Sequence, residues 1–110
     1  MSDTQPVIAC NLGALSEEEK TRRAAMAARV SARFQELRET PDGYAARLDG
    51  DPQLLQDALD WVLFERRCCP FLQLELGFEP SDGPVWLRFS GGPGVKEFLG
   101  AAGFIKATKR

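Results

Sequence analysis

Residues 72–90 read Leu-Gln-Leu-Glu-Leu-Gly-Phe-Glu-Pro-Ser-Asp-Gly-Pro-Val-Trp-Leu-Arg-Phe-Ser. Leu72, Leu74, Leu76 and Phe78 alternate with Gln73, Glu75 and Gly77. Val85, Leu87 and Phe89 alternate in the same way with Trp86, Arg88 and Ser90. A period of two sends successive side chains to opposite faces, so each run is a strand with one apolar face. The intervening Pro80-Ser81-Asp82-Gly83-Pro84 is a turn, and the whole stretch is a β-hairpin.

Working toward the N-terminus, Pro41-Asp42-Gly43 marks a second turn, with proline at a φ it prefers and glycine able to take φ > 0. Tyr44, Ala46 and Leu48 then alternate with Ala45 and Arg47. The segment before the turn, residues 33–39, has two readings. Met26, Val30, Phe34 and Leu37 can continue one helical stripe, or Phe34 to Glu39 can be the first arm of a hairpin. The hairpin is preferred, because a lone strand after a tight turn has no partner.

Helical patterns separate and flank the hairpins. Ser16 with Glu19 forms a capping box, and Glu17 to Glu19 suit the positive end of a helix dipole. That helix is expected to reach about Val30, with Ala27 and Val30 near one face and Arg22, Arg23 and Arg29 in water. Asp51-Pro52 opens a second helix as N-cap and first-turn proline. Leu55, Leu59 and Val62 form its stripe, flanked by Leu54, Ala58 and Trp61, and Pro70 ends it near Cys68. Gly91-Gly92-Pro93-Gly94 leads into a last helix carrying Val95, Phe98, Leu99 and Ala102, stopped by Gly103. This glycine run lacks the Lys-Ser/Thr of a phosphate-binding loop and reads as a turn. Trp61 and Trp86 read as core residues. Residues 1–7 are polar and expected to fray. The expectation is therefore one α+β domain over 1–110, in the order αββαββα, with a four-stranded, mainly antiparallel sheet covered by helices on one face. Its open strand edges admit a homodimer.

Composition narrows the function. The chain has 110 residues, 44% hydrophobic and 27% charged, with a formal net charge of -2. That balance argues against nucleic-acid binding driven by bulk charge. No apolar run approaches a bilayer span, and the N-terminus lacks the basic start and apolar core of a signal peptide. With no histidine in the chain, imidazole bases and histidine metal sites are excluded. Three cysteines, two of them adjacent, are no ordinary disulfide framework, so reduced thiols and a cytoplasmic location are expected.

The chemistry concentrates in Glu65-Arg66-Arg67-Cys68-Cys69-Pro70-Phe71. Glu65 lies three before Cys68 and four before Cys69, the two spacings that share a helix face. The negative end of the helix raises a thiol pKa, whereas Arg66 and Arg67 favour thiolate, and the two effects oppose each other. Paired thiolates select soft or borderline ions: Cu(I), Zn(II) and, by the same softness, Hg(II) or As(III). Cys10, on a short N-terminal segment, is a candidate third ligand, with Glu65 beside the sulfurs. A four-thiolate zinc site is impossible within one chain, though a dimer would supply more sulfurs. Other readings stand beside this one. Cys68 and Cys69 can form a reducible vicinal disulfide, or one can act as the nucleophile of a redox or lyase-type enzyme with Glu65 moving the proton. Alternatively the cysteines simply pack as small hydrophobes in an interaction module.

Glu-x-x-Cys-Cys-Pro-Phe, the Leu/Phe-rich strand after it and Gly-Pro-Gly-Val-Lys-Glu-Phe-Leu resemble a family of small bacterial proteins associated with heavy-metal-resistance loci and with extensions of MerR-type metal regulators. The likeness runs from Cys10 to Leu99. It implies handling of thiophilic metals and brings no reaction with it. The chain carries no helix-turn-helix pattern, so a regulator's DNA binding does not transfer.

Overall fold

In the computed structural model, which describes residues 10–101, the stretch that decides the fold forms strands β3 (Gln73–Phe78) and β4 (Val85–Ser90). Residues 1–7, Ala102, the Gly103 stop and the basic ending lie outside the described residues. The connecting turn is tight. Ser81 and Asp82 take left-handed φ values of 61° and 56°, and Gly83 N–H donates to the Pro80 carbonyl at 3.1 Å. Two consecutive left-handed residues match the natural twist of a hairpin.

The second hairpin is β1 (Glu36–Thr40) and β2 (Gly43–Leu48), so the hairpin reading of residues 34–39 holds. Gly43 is not in the left-handed region expected of it. It is needed for another reason: a Cβ there would collide with the Phe89 carbonyl oxygen of β4. The hairpins join through their inner strands, giving an antiparallel sheet in the order β1-β2-β4-β3. Tyr44, Phe89 and Leu74 stand in register, as do Ala46, Leu87 and Leu76, making one continuous apolar face.

Helices α1 (Glu17–Ala32), α2 (Pro52–Cys68) and α3 (Val95–Ala101) pack on that face. Met26 and Val30 of α1, Trp61 of α2, Leu99 of α3 and Phe89 of β4 share one core. The capping box of α1 is complete: Glu19 N–H donates to Ser16 Oγ at 3.1 Å and Ser16 N–H to Glu19 Oε1 at 2.9 Å. Asp51 sits at the N-cap of α2 but makes no side-chain cap bond; its N–H donates to Asp49, and its carboxylate approaches Arg33. On the opposite sheet face Arg38 lies over the Trp86 ring, 4.7 Å from its centroid, so charged side chains shield the indole.

The buried stripe of α2 differs from the expected one. Leu54, Ala58, Trp61, Glu65 and Cys68 face inward, whereas Leu59 is 42% exposed. Burying the large Trp61 ring against Phe89 outweighs burying Leu59. This rotation carries Glu65 and Cys68 into the interior.

Candidate functional site

The site forms where α2 ends. Cys69 leaves the helix, although its N–H still donates to the Glu65 carbonyl at 2.7 Å. A strap, residues 10–15 with one 3-10 turn over Leu12–Ala14, crosses this end. Asn11 N–H donates to the Cys68 carbonyl at 2.6 Å, one of the acceptors that a helix C-terminus leaves open. Arg67 donates to the Ala14 carbonyl at 3.0 Å and grips both carboxylate oxygens of Glu19. Leu15, 5% exposed, anchors the strap in the core.

Docking of the strap brings all three sulfurs within 4.8 Å of one another. Cys10 and Cys69 are joined by a disulfide, which corrects the expectation of three reduced thiols. Their Cα atoms lie 4.6 Å apart, inside the range a disulfide spans. Cys68 remains a free thiol, buried, with its Sγ 3.6 Å from Cys69 Sγ. The vicinal Cys68–Cys69 bond is therefore not the one formed.

Glu65 is almost completely buried and lies between the sulfurs and a cation. Its Oε2 accepts from Trp61 Nε1 at 2.8 Å and meets an Arg23 guanidinium nitrogen at 2.6 Å. Its Oε1 lies 3.4 Å from Cys69 Sγ. A disulfide sulfur has no proton to give, so this becomes a hydrogen bond only when Cys69 is a thiol. The positive charge of Arg23 favours the Cys68 thiolate, and its Nε is buried with no hydrogen-bond partner. Arg23 is thus not in water as its sequence context suggested; it is 23% exposed and turned inward.

The cations expected to tune the thiols are redistributed. Burial, followed by the negative charge of Glu65, pushes the Cys68 thiol above its ordinary pKa, and Arg23 works against both. Arg67 is committed to Glu19 and Arg66 points to solvent. The Arg67 hydrogen bond, helped by Ser16 N–H, holds Glu19 at about 2 instead of 4.5. A depressed folded pKa contributes stability that is complete above 4.5 and is lost as pH falls toward 2. The difference in urea midpoint between wild type and Glu19→Gln will accordingly be constant at neutral pH and close across that acid window. A gap that persists below it would mean that the charge of Glu19 is not what locks the strap.

No protein-family model, curated protein or solved structure matches this chain. Its chemistry rests on the sulfurs. Among the described residues no helix is long and apolar enough to cross a membrane. Three close sulfurs can hold a soft ion once the disulfide is reduced, and a free thiol beside a disulfide can exchange with it. Of the four residues singled out from sequence, Cys10, Cys68, Cys69 and Glu65 all meet here. Arg23 and Trp61 complete the site. Trp61 was legible only as core, although its spacing of four from Glu65 on a helix places donor beside acceptor.

Proposed function

We propose that this protein binds a soft metal or metalloid ion through Cys10, Cys68 and Cys69 in its reduced state, as a cytoplasmic protein of heavy-metal handling. The observation that carries the reading is the convergence of three sulfurs at one helix end. Softness favours Hg(II), Cu(I) or As(III), with Glu65 Oε1 available as an oxygen donor to a borderline ion such as Zn(II). The resemblance to proteins of heavy-metal-resistance loci points the same way. In the oxidised state the disulfide removes two of the three ligands, so metal binding and oxidation compete for the same sulfurs.

The test is titration of the reduced chain with Hg(II), Cu(I) and arsenite in turn, alongside the Cys68→Ser/Cys69→Ser variant. At least one ion should bind at one per chain in wild type and be lost in the variant. Equal affinity in both would end the proposal.

A second reading is favoured by the buried Cys68 thiol beside the disulfide: thiol–disulfide chemistry, with Cys68 exchanging onto Cys69 and releasing Cys10. It predicts trapping of Cys10 by an alkylating agent in the oxidised protein, dependent on Cys68. A homodimer paired through strand edges is compatible with either reading.

A further inference from the structure

Resting on the soft-ion reading, we propose that the ion is a trivalent metalloid of the arsenite or antimonite class, held as a neutral tris-thiolate by Cys10, Cys68 and Cys69. Donor number is the first support. The chain holds three cysteines and no histidine, so sulfur coordination in one chain stops at three.

Charge is the second. Three thiolates carry three negative charges. Around a monovalent ion they leave two uncompensated, around a divalent ion one, and around a trivalent centre none. Cys68 and Cys69 are buried, and a net charge there has a large desolvation cost. Among the described residues, the two guanidinium groups that reach this end of α2 already have carboxylate partners. Arg23 is paired with Glu65 and Arg67 with Glu19. A neutral complex is the one such a site accommodates at lowest cost.

Geometry is the third. Cys68 and Cys69 are sequence neighbours whose sulfurs lie 3.6 Å apart. A linear two-coordinate ion takes its sulfurs on opposite sides, farther apart than these two stand. A pyramidal trivalent centre has all three sulfurs on one side and its lone pair on the other. The strap completes that arrangement by bringing Cys10, which is not buried, over the pair.

The reaction balances without change of oxidation state at arsenic. A dithiol reductant first gives two electrons and two protons to the Cys10–Cys69 bond and leaves as its own disulfide. Arsenous acid, As(OH)3, then exchanges three As–O bonds for three As–S bonds. Each thiol proton leaves with a hydroxyl as water, so three waters are released. Cys10, the accessible sulfur, is the natural point of entry.

The chain reduced with a phosphine, which does not compete as a thiol, is titrated with arsenite and followed by native mass spectrometry and sulfur–arsenic absorbance. The expected product is one arsenic per chain with the mass of arsenous acid less three waters. Cys10→Ser, Cys68→Ser and Cys69→Ser should each weaken retention roughly tenfold or more, which is about 1.4 kcal/mol. Because every chain compared is reduced, loss of the disulfide does not confound the series; circular dichroism of each variant checks its fold. Arsenite bound equally well by Cys10→Ser would overturn the three-sulfur assignment. Retention of Hg(II) or Cu(I) through all three cysteines without retention of arsenite would overturn the metalloid class and leave the soft-ion reading standing. Indifference of every ion to Cys68 and Cys69 would remove both.

Discussion

Reducing the Cys10–Cys69 disulfide will lower the free energy of unfolding by about 4 kcal/mol, the chain-entropy value for a closed loop of this length. The bond joins residues 59 apart, so it restrains more than half of the unfolded chain. Urea midpoints with and without reductant measure the loss. Cys10→Ser under oxidising conditions should show the same loss, because it removes the same cross-link. Cys68→Ser under those conditions should keep the disulfide and most of the stability. A shift below about 1 kcal/mol on reduction would mean that the native state gains little from the cross-link. The reduced domain should still fold, since domains of this kind have about 5–15 kcal/mol to lose. The strap also keeps fastenings that need no sulfur: Leu15 in the core, Asn11 on the Cys68 carbonyl, and Arg67 on Ala14 and Glu19. Those fastenings hold Cys10 near the other two sulfurs after reduction, which is the condition for metal binding.

The fold was legible where local chemistry and burial agree. Alternation in residues 72–78 and 85–89 needs only the period of a strand, and the capping box at Ser16 and Glu19 needs only its own four residues. Docking angles are not local, and the readings that depended on them shifted. Leu59 looked like the stripe of α2 because it is apolar and correctly spaced; the helix turns instead to bury Trp61, and Leu59 stays in contact with water. The sequence does carry a signal for Arg23. Positions 23, 26, 27 and 30 fall at helical spacing on one face, so an arginine there sits on the same stripe as Met26 and Val30. Only the packing of α1 on α2 reveals that its partner is Glu65. Likewise, nothing within residues 1–15 announces that Cys10 meets Cys69, because the loop between them spans most of the domain. The expectation of free thiols rested on the cysteine count and on the adjacency of two of them, neither of which records proximity across the fold.

Arg23→Met will destabilise the protein more than Glu65→Gln, although both break the same ion pair. Removing Arg23 leaves the carboxylate of Glu65 buried with only Trp61 Nε1 to compensate it, a loss of about 3–5 kcal/mol. Glu65→Gln leaves a neutral amide whose oxygen can still accept from Trp61. The stranded Arg23 is 23% exposed and its long side chain can carry its charge outward, so about 1–3 kcal/mol is expected. Replacing both, as Arg23→Met/Glu65→Leu, removes the charges together and should recover most of the loss. The remaining deficit is the lost Trp61–Glu65 hydrogen bond, about 1–3 kcal/mol. Urea unfolding of Arg23→Met, Glu65→Gln, Glu65→Leu and the double variant, all oxidised so that the disulfide is constant, gives both the order of the losses and a closed cycle. If Glu65→Gln proves the costlier single change, the carboxylate is not the group that the fold labours to neutralise. The order of these losses bears on the sulfurs directly. An Arg23 committed to neutralising Glu65 cannot also offset an anionic thiolate complex, which leaves the sulfurs to match the charge of the ion by themselves.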